Sequence, residues 1–103
     1  MSAPQFRVLL SEAVKDQLRD VVARAAARGQ RTEALAAARK ILDGLTWIAD
    51  EFGESRGALK VMGELRVAII GPIGVVFAVD RAKWEVHIGR FRLMGARRFP
   101  GST

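Results

Sequence analysis

Arginine dominates the possible chemistry of this chain, and basic side chains are concentrated in its C-terminal half. Residues 56–103 carry nine basic side chains and three acidic ones, whereas residues 1–55 carry eight of each. The whole net charge of +6 therefore belongs to the second half. A localised excess of this kind favours a polyanionic or acidic partner. The planar guanidinium group suits such a partner because it binds phosphate and carboxylate groups alike.

Other reactive side chains are few. The chain contains no cysteine and no tyrosine, so thiolate and phenol chemistry are excluded. His87 is the single histidine and cysteine is absent, so no pair of His or Cys ligands has the i, i+4 or C-x-x-C spacing of a metal site. We therefore predict no metal and no small-molecule cofactor. Histidine in general titrates near neutral pH, which makes His87 the candidate proton carrier. Four basic residues on or beside the predicted sheet remain as candidates: Lys60, Arg66, Arg90 and Arg92.

The break between two apolar runs at 71–74, Gly-Pro-Ile-Gly, is the one glycine motif that could bind phosphate. A phosphate-binding loop must lead from a strand into a helix, but the β-forming residues Val75, Val76 and Phe77 follow here. The comparable loop of a KH domain normally lies between two helices. We therefore predict a hairpin turn in which proline fixes φ and glycine is free to adopt positive φ.

No segment predicts a membrane protein. The apolar run at 67–79 is thirteen residues long and contains Pro72, whereas a spanning helix needs roughly 20 apolar residues. Near the N-terminus only Val8 to Leu10 are consecutively apolar, which is too short for a signal peptide. We expect a soluble, cytoplasmic protein with no membrane partner.

The apolar pattern predicts one short strand and then two helices. Residues 5–10 form the strand candidate, and Ser11 is placed to cap a first helix that ends at Gly29. Thr32 is placed to cap a second helix that ends near Gly53. The short connection between the helices predicts an antiparallel hairpin. The buried stripe of the second helix is expected to comprise Leu35, Ala38, Ile41, Leu42, Leu45, Ile48, Ala49 and Phe52.

Beyond a predicted loop at 54–57 the period of the pattern changes from 3.6 to 2. Alternation at 64–69 and 84–88 predicts two half-buried strands, and the continuous apolar run at 75–79 predicts a central strand between them. The predicted fold is α+β in the order β-α-α-β-β-β. In it the N-terminal strand and the helical hairpin pack on an antiparallel meander sheet. The length of 103 residues suits one domain, at 1–95, followed by a short basic tail at 96–103.

Several stretches together resemble a known family. They are Ser-Glu-Ala-Val-Lys-Asp-Gln-Leu after the first strand, Leu-Arg-Val at the entry to the meander, and Val-Phe-Ala-Val-Asp turning into Val-His-Ile-Gly-Arg-Phe-Arg. Over residues 6–93 the chain is similar to the RelE/ParE superfamily of bacterial toxins, the plasmid stabilisation type of type II toxin–antitoxin modules. The resemblance implies one of two activities. RelE-like members cut messenger RNA in the ribosomal A site without a metal, and ParE-like members bind and inhibit DNA gyrase.

The resemblance also implies site residues. Lys60 and Arg66 match positions where the family has basic residues, just before and on its second strand. Arg90 and Arg92 lie near a basic family position at the end of the last strand. The expected catalytic residues are Arg66, His87, Arg90 and Arg92. The residues expected to contact RNA are Lys60, Arg66, Arg81 and Lys83.

The chain departs from the nuclease pattern at two positions. The arginine that many RelE-like nucleases carry at the start of the third strand corresponds to Gly74, and Phe99 is the aromatic residue nearest to the missing C-terminal tyrosine. Phenylalanine cannot transfer a proton. A ribosome-dependent nuclease, a non-catalytic gyrase inhibitor and a degenerate relative that retains only partner binding therefore stay open, with the nuclease placed first. The family partner is an antitoxin, which we expect to be acidic and to dock on the sheet and the hairpin near Trp47.

Overall fold

The computed structural model describes residues 4–59 and 63–95. In chain order these residues form β1 (Arg7–Leu9), α1 (Glu12–Ala27), α2 (Arg31–Ile48), β2 (Glu54–Leu59), β3 (Gly63–Ile70), β4 (Ile73–Asp80) and β5 (Glu85–Leu93). The strands build one sheet in the order β1-β5-β4-β3-β2. The predicted α+β class and the order of its elements are confirmed. The sheet is mixed rather than wholly antiparallel, because β1 runs parallel to β5.

β2 is a strand that the sequence did not predict. It occupies an edge of the sheet and includes the residues at 54–57 that were expected to form a loop. All six of its residues are exposed, so no alternation between a buried and a polar face marks it in the sequence. Two predicted features, Lys60 and the tail at 96–103, lie outside the described residues.

The first helix begins as its sequence predicts, and the second does not. The Ser11 hydroxyl accepts a hydrogen bond from the Val14 backbone N–H at 3.1 Å, which caps α1. The predicted cap at Thr32 is wrong, because α2 already begins at Arg31 and the side chain of Gln30 before it makes no capping hydrogen bond. The helices nevertheless form the expected hairpin, with a connection of three residues, 28–30.

The buried face of α2 is rotated from the predicted stripe. Its buried positions are mostly small residues: Ala34, Ala37, Ile41, Gly44, Leu45 and Ala49. Alanine and glycine allow the helix to approach its neighbours closely; a Cβ on Gly44, for example, would lie 2.5 Å from the Phe52 ring. As a result Leu35, Leu42 and Ile48, which the periodicity places in the core, are exposed.

The turn between β3 and β4 is the predicted hairpin, but it is shorter than the four-residue motif. Ile70 pairs directly with Ile73, so the turn consists of Gly71 and Pro72, while Gly74 lies within β4. Gly71 has φ +55°, which a side chain would make unfavourable. Glycine with positive φ at the first central position is typical of a type II′ turn, whose twist matches that of the flanking strands.

Candidate functional site

The two faces of the sheet differ in what covers them. Along β4 the side chains of Ile73, Val75, Phe77 and Val79 belong to the core shared with the helices. The alternating side chains point to the opposite side, because strand residues alternate between faces. We call this side the open face; register with β4 assigns to it Leu65, Val67, Ile69, Gly74, Val76, Ala78, Asp80, Glu85, His87, Arg90 and Arg92.

A β-bulge in the last strand places two arginines on the open face. Ile88 pairs with Phe77 and Arg90 pairs with Val76, so Gly89 is an extra residue on β5. Without the bulge, strict alternation from Ile88 would direct Arg90 into the core. With it, Arg90 and Arg92 lie on the open face, and Phe91 is buried in the core.

Helix α1 supports the bulged strand from the side. The parallel strand β1 pairs with β5 only as far as His87, so beyond that point the outer edge of β5 has no strand partner among residues 4–59 and 63–95. There the Phe91 backbone N–H donates a hydrogen bond to Gln17 Oε1 at 2.6 Å. Because a buried N–H without an acceptor is costly, Gln17 stabilises the segment that carries the two arginines.

Three arginines line one depression on the open face. Arg56 from β2 joins Arg90 and Arg92 around a volume of about 210 Å³, whose lining contains no carboxylate. Its apolar floor includes Val67, Val76 and Ile69, and the side chain of Ile69 is 62% exposed. Glu54 lines an adjoining depression beside Arg56. A depression lined by three arginines, with no carboxylate among its described lining residues, suits an anion such as a phosphate.

The position where the resemblance implies a missing arginine lies inside this depression. Gly74 is paired directly with Arg92 across β4 and β5. Directly opposed residues have Cβ positions about 5 Å apart, so the Arg92 side chain starts beside the place where a side chain at position 74 would begin. A Cβ on Gly74 would lie 2.8 Å from the Met94 sulfur atom. Arg92 is therefore the arginine that lies directly across the sheet from position 74.

His87 lies on the same face and is held by a carboxylate. Its Nε2 lies 3.2 Å from Glu85 Oε1, and the other oxygen of Glu85 accepts a hydrogen bond from Arg7. The Arg7 guanidinium, followed by the His87 ring, holds the pKa of Glu85 below its ordinary value, against an opposing effect of desolvation. His87 and Arg90 pair with residues of β4 that are two positions apart, so they are separated by about 7 Å along the strand.

The structure separates Arg66 from this group. Its residue pairs with Phe77, so its side chain lies on the helix side of the sheet, and it is only 8% exposed. Nε donates to the Phe52 carbonyl oxygen at 2.9 Å and Nη2 donates to the Gly53 carbonyl oxygen at 3.0 Å. Nη1 lies 3.1 Å from Glu64 Oε2. These contacts join the end of the α2–β2 connection to the sheet, and they engage all three guanidinium nitrogens.

Two other expected RNA contacts are also distant from the arginine depression. Arg81 and Lys83 lie in the turn between β4 and β5, at the opposite end of β4 from Gly74 and about 20 Å away along the strand. Arg81 Nε lies 3.4 Å from Asp50 Oδ2, and the Lys83 backbone N–H donates to Asp80 Oδ1. Of the predicted site residues within the described part of the chain, the structure places His87, Arg90 and Arg92 together on one face and separates Arg66, Arg81 and Lys83 from them.

Arg56 is the member of the depression that the sequence did not identify. It belongs to the unpredicted strand β2, at an irregularity where the pairing register with β3 shifts between Ser55 and Gly57. Because the sequence predicts a loop at 54–57, nothing in the sequence directs Arg56 towards the sheet. The bulge at Gly89 could have been predicted from the sequence, since this glycine interrupts an otherwise regular alternation of polar and apolar residues from Glu85 to Leu93.

Comparisons with known proteins do not place the chain in a family. No protein-family model, curated protein or solved structure matches it. Within residues 4–59 and 63–95, no helix has the length and apolar character needed to cross a membrane. Nor do those residues contain a group of three or more His, Asp or Glu side chains placed to hold a metal ion.

Proposed function

We propose that this protein is the toxin-like component of a bacterial type II toxin–antitoxin module and that it acts on messenger RNA in the cytoplasm. Its open face would contact the RNA backbone, with the ribosome as the setting and an acidic antitoxin as the partner that neutralises it. One observation carries the proposal: Arg56, Arg90 and Arg92 all line a single depression, and no carboxylate is among its described lining residues. Phosphate contacts of this kind supply most of the sequence-independent affinity for nucleic acid.

Cleavage in this proposal is metal-independent attack of a 2′-hydroxyl on the adjacent phosphate. A bond forms between the 2′-oxygen and phosphorus, the bond from phosphorus to the 5′-oxygen of the next nucleotide breaks, and that oxygen leaves with a proton. Negative charge develops on the phosphate oxygens in the transition state, and fixed guanidinium groups stabilise it. Arg90 and Arg92 take that role here, and Arg66 is replaced in it by Arg56. His87 would accept or donate the proton, while Glu85 fixes the orientation of its ring.

A ParE-like gyrase inhibitor is the second candidate, and the composition of the open face favours it in one respect. Cleavage requires one group to accept the 2′-hydroxyl proton and another to protonate the leaving oxygen. His87 is the one histidine, tyrosine is absent from the chain, and both oxygens of Glu85 are engaged by neighbours. A basic face with a single proton carrier serves binding without catalysis equally well.

Primer extension on messages under translation tests the nuclease. Wild-type protein is expected to produce cuts within the reading frame. His87→Ala should lower the cleavage rate by about 10²–10⁴-fold, the usual contribution of general acid–base catalysis. Arg92→Ala should lower it by about 10²-fold or more, as loss of a transition-state contact does. Arg24→Ala, an exposed arginine on the outer side of α1, is the matched control and should cut like wild type.

Three results would change the proposal. Growth arrest with intact messages and accumulated DNA breaks would support gyrase inhibition instead. Cleavage by His87→Ala at the wild-type rate would remove the histidine from the mechanism. Absence of toxicity by either route would leave a relative that retains only the interaction with its partner.

A further inference from the structure

The outer surface of α2 carries an apolar patch that neither α1 nor the sheet covers. We define the α2 patch as Leu35, Leu42 and Trp47, whose exposed fractions are 38%, 36% and 40%. With Arg39, Asp43 and their neighbours these residues line one shallow depression of about 570 Å³. Single exposed apolar residues are ordinary, but three along one side of a helix form the kind of patch that marks an interaction surface.

Two opposite charges lie within the patch and do not pair with each other. On α1 the side chains at comparable spacing are joined in ion pairs: Lys15–Glu12, Arg19–Asp16 and Arg24–Asp20. On α2, Arg39 and Asp43 are exposed and also four positions apart, yet neither forms an ion pair with any residue in the described part of the chain. An arginine N-terminal to the acid is the less favourable order within a helix. Both charges are therefore available to a partner.

These side chains are arranged symmetrically along the helix. Arg39 and Asp43 lie two residues on either side of Ile41, and Leu35 and Trp47 lie six residues on either side of it. At a rise of 1.5 Å per residue, the charges are about 3 Å and the apolar side chains about 9 Å from the level of Ile41. At 100° per residue, the direction midway between Arg39 and Asp43 around the helix is also the direction midway between Leu35 and Trp47.

We propose that a second copy of this chain docks on the α2 patch, forming an antiparallel homodimer about a two-fold axis at the level of Ile41. That axis brings Arg39 against Asp43 of the second copy and Leu35 against Trp47 of the second copy, each contact occurring twice, with Leu42 close to the axis. Charge complementarity selects this occupant. A uniformly acidic partner would be repelled by Asp43 and a uniformly basic one by Arg39, whereas a second copy satisfies both.

The proposal does not depend on the proposed function. The α2 patch is on the helix side of the sheet, so the open face with Arg90 and Arg92 stays accessible in both copies. Short side chains at Ala36 and Thr46 lie between the apolar ones and allow helices to approach to the usual 8–10 Å. One helix per copy makes a small interface, and small interfaces belong to weak or transient complexes. We therefore expect a monomer–dimer equilibrium that depends on concentration.

Sedimentation equilibrium with charge-reversed variants tests the dimer. Wild type is expected to rise from the monomer mass towards twice that mass as its concentration increases. Arg39→Asp and Asp43→Arg each place like charges in both symmetric contacts, so each variant alone should dimerise about tenfold more weakly or worse. An equimolar mixture of the two should form a heterodimer, because the two aspartates of one variant, at positions 39 and 43, then face the two arginines of the other, at positions 43 and 39. The double variant Arg39→Asp/Asp43→Arg should recover the homodimer.

Controls separate the interface from folding. Arg24→Asp changes charge on α1 and should leave the dimer unchanged, and circular dichroism should show wild-type helix content for every variant. Trp47→Ala removes exposed surface without changing charge and should also weaken the dimer. A wild-type monomer at every concentration would overturn the proposal. So would a dimer that neither the reversals nor Trp47→Ala weakens, or one that the mixture of reversals fails to restore.

Discussion

Replacing Arg66 with methionine tests whether this arginine is structural, as its contacts indicate, or part of the RNA site, as the family resemblance implies. Methionine retains much of the aliphatic length and so limits the loss of packing. It removes the donors to the Phe52 and Gly53 carbonyl oxygens and the partner of Glu64. The side chain is nearly buried, so water cannot easily replace these donors.

The magnitude follows from the partners that lose their donor. An unsatisfied buried acceptor costs about 1–3 kcal/mol, and two carbonyl oxygens are affected. The ion pair adds little, since a third of the Glu64 side chain is exposed and solvent screens such pairs. We therefore expect Arg66→Met to lower the free energy of unfolding by about 3 kcal/mol. For a domain of this size that corresponds to a fall in Tm of roughly 10–25 °C.

Thermal unfolding and RNA binding, measured on the same preparations, provide the assay. Arg92→Met is the matched control: an exposed arginine on the open face, whose loss should change stability by less than about 0.5 kcal/mol but weaken RNA binding. Arg66→Met should lower the stability but leave RNA binding unchanged at temperatures where the variant remains folded. Unchanged Tm combined with lost RNA binding in Arg66→Met would refute the structural assignment.

Three further outcomes follow from particular contacts. Gln17→Leu should destabilise the protein by about 1–2 kcal/mol in urea titrations, because the Phe91 N–H loses its acceptor, whereas Gln5→Leu on the exposed surface should not. Gly53→Ala should lower the free energy of unfolding by more than about 1 kcal/mol, since φ is +70° and the new Cβ would lie 2.0 Å from the Val67 carbonyl oxygen. Gly89→Ala is the control and should be tolerated, because its Cβ would lie 3.5 Å from the nearest atom. Finally, hydrogen bonds from Ser55 to Glu64 and from Arg7 to Glu85 lower the pKa of both carboxyl groups from 4.5. The stability that these carboxylates contribute is therefore present above pH 4.5 and is lost as the pH falls through their lowered pKa values. Glu64→Gln should make the free energy of unfolding depend less on pH in this acid range.

Periodicity predicted most of the fold because the elements that it identifies have one buried face. It could not predict β2, whose side chains are all exposed, nor the rotation of α2, where small residues rather than Leu35 and Leu42 face the sheet. For the candidate site, the arginines of β5 were identified, but their grouping was not. Whether Arg66 shares a face with Arg90 depends on pairing register and on the bulge at Gly89, and these are set by contacts between distant segments.

The salt dependence of RNA binding tests most directly the central claim, that the arginines of the open face contact RNA phosphates. For a single strand, log K falls with log salt concentration with a slope of about −0.7 per phosphate neutralised, so three contacts predict a slope of about −2. Replacing Arg56, Arg90 and Arg92 together with glutamine should reduce the slope towards zero and lower affinity at low salt. Replacing Arg81 and Lys83, in the distant turn, should leave the slope close to wild type. A wild-type slope in the triple variant, or loss of the slope on changing Arg81 and Lys83 alone, would contradict the account.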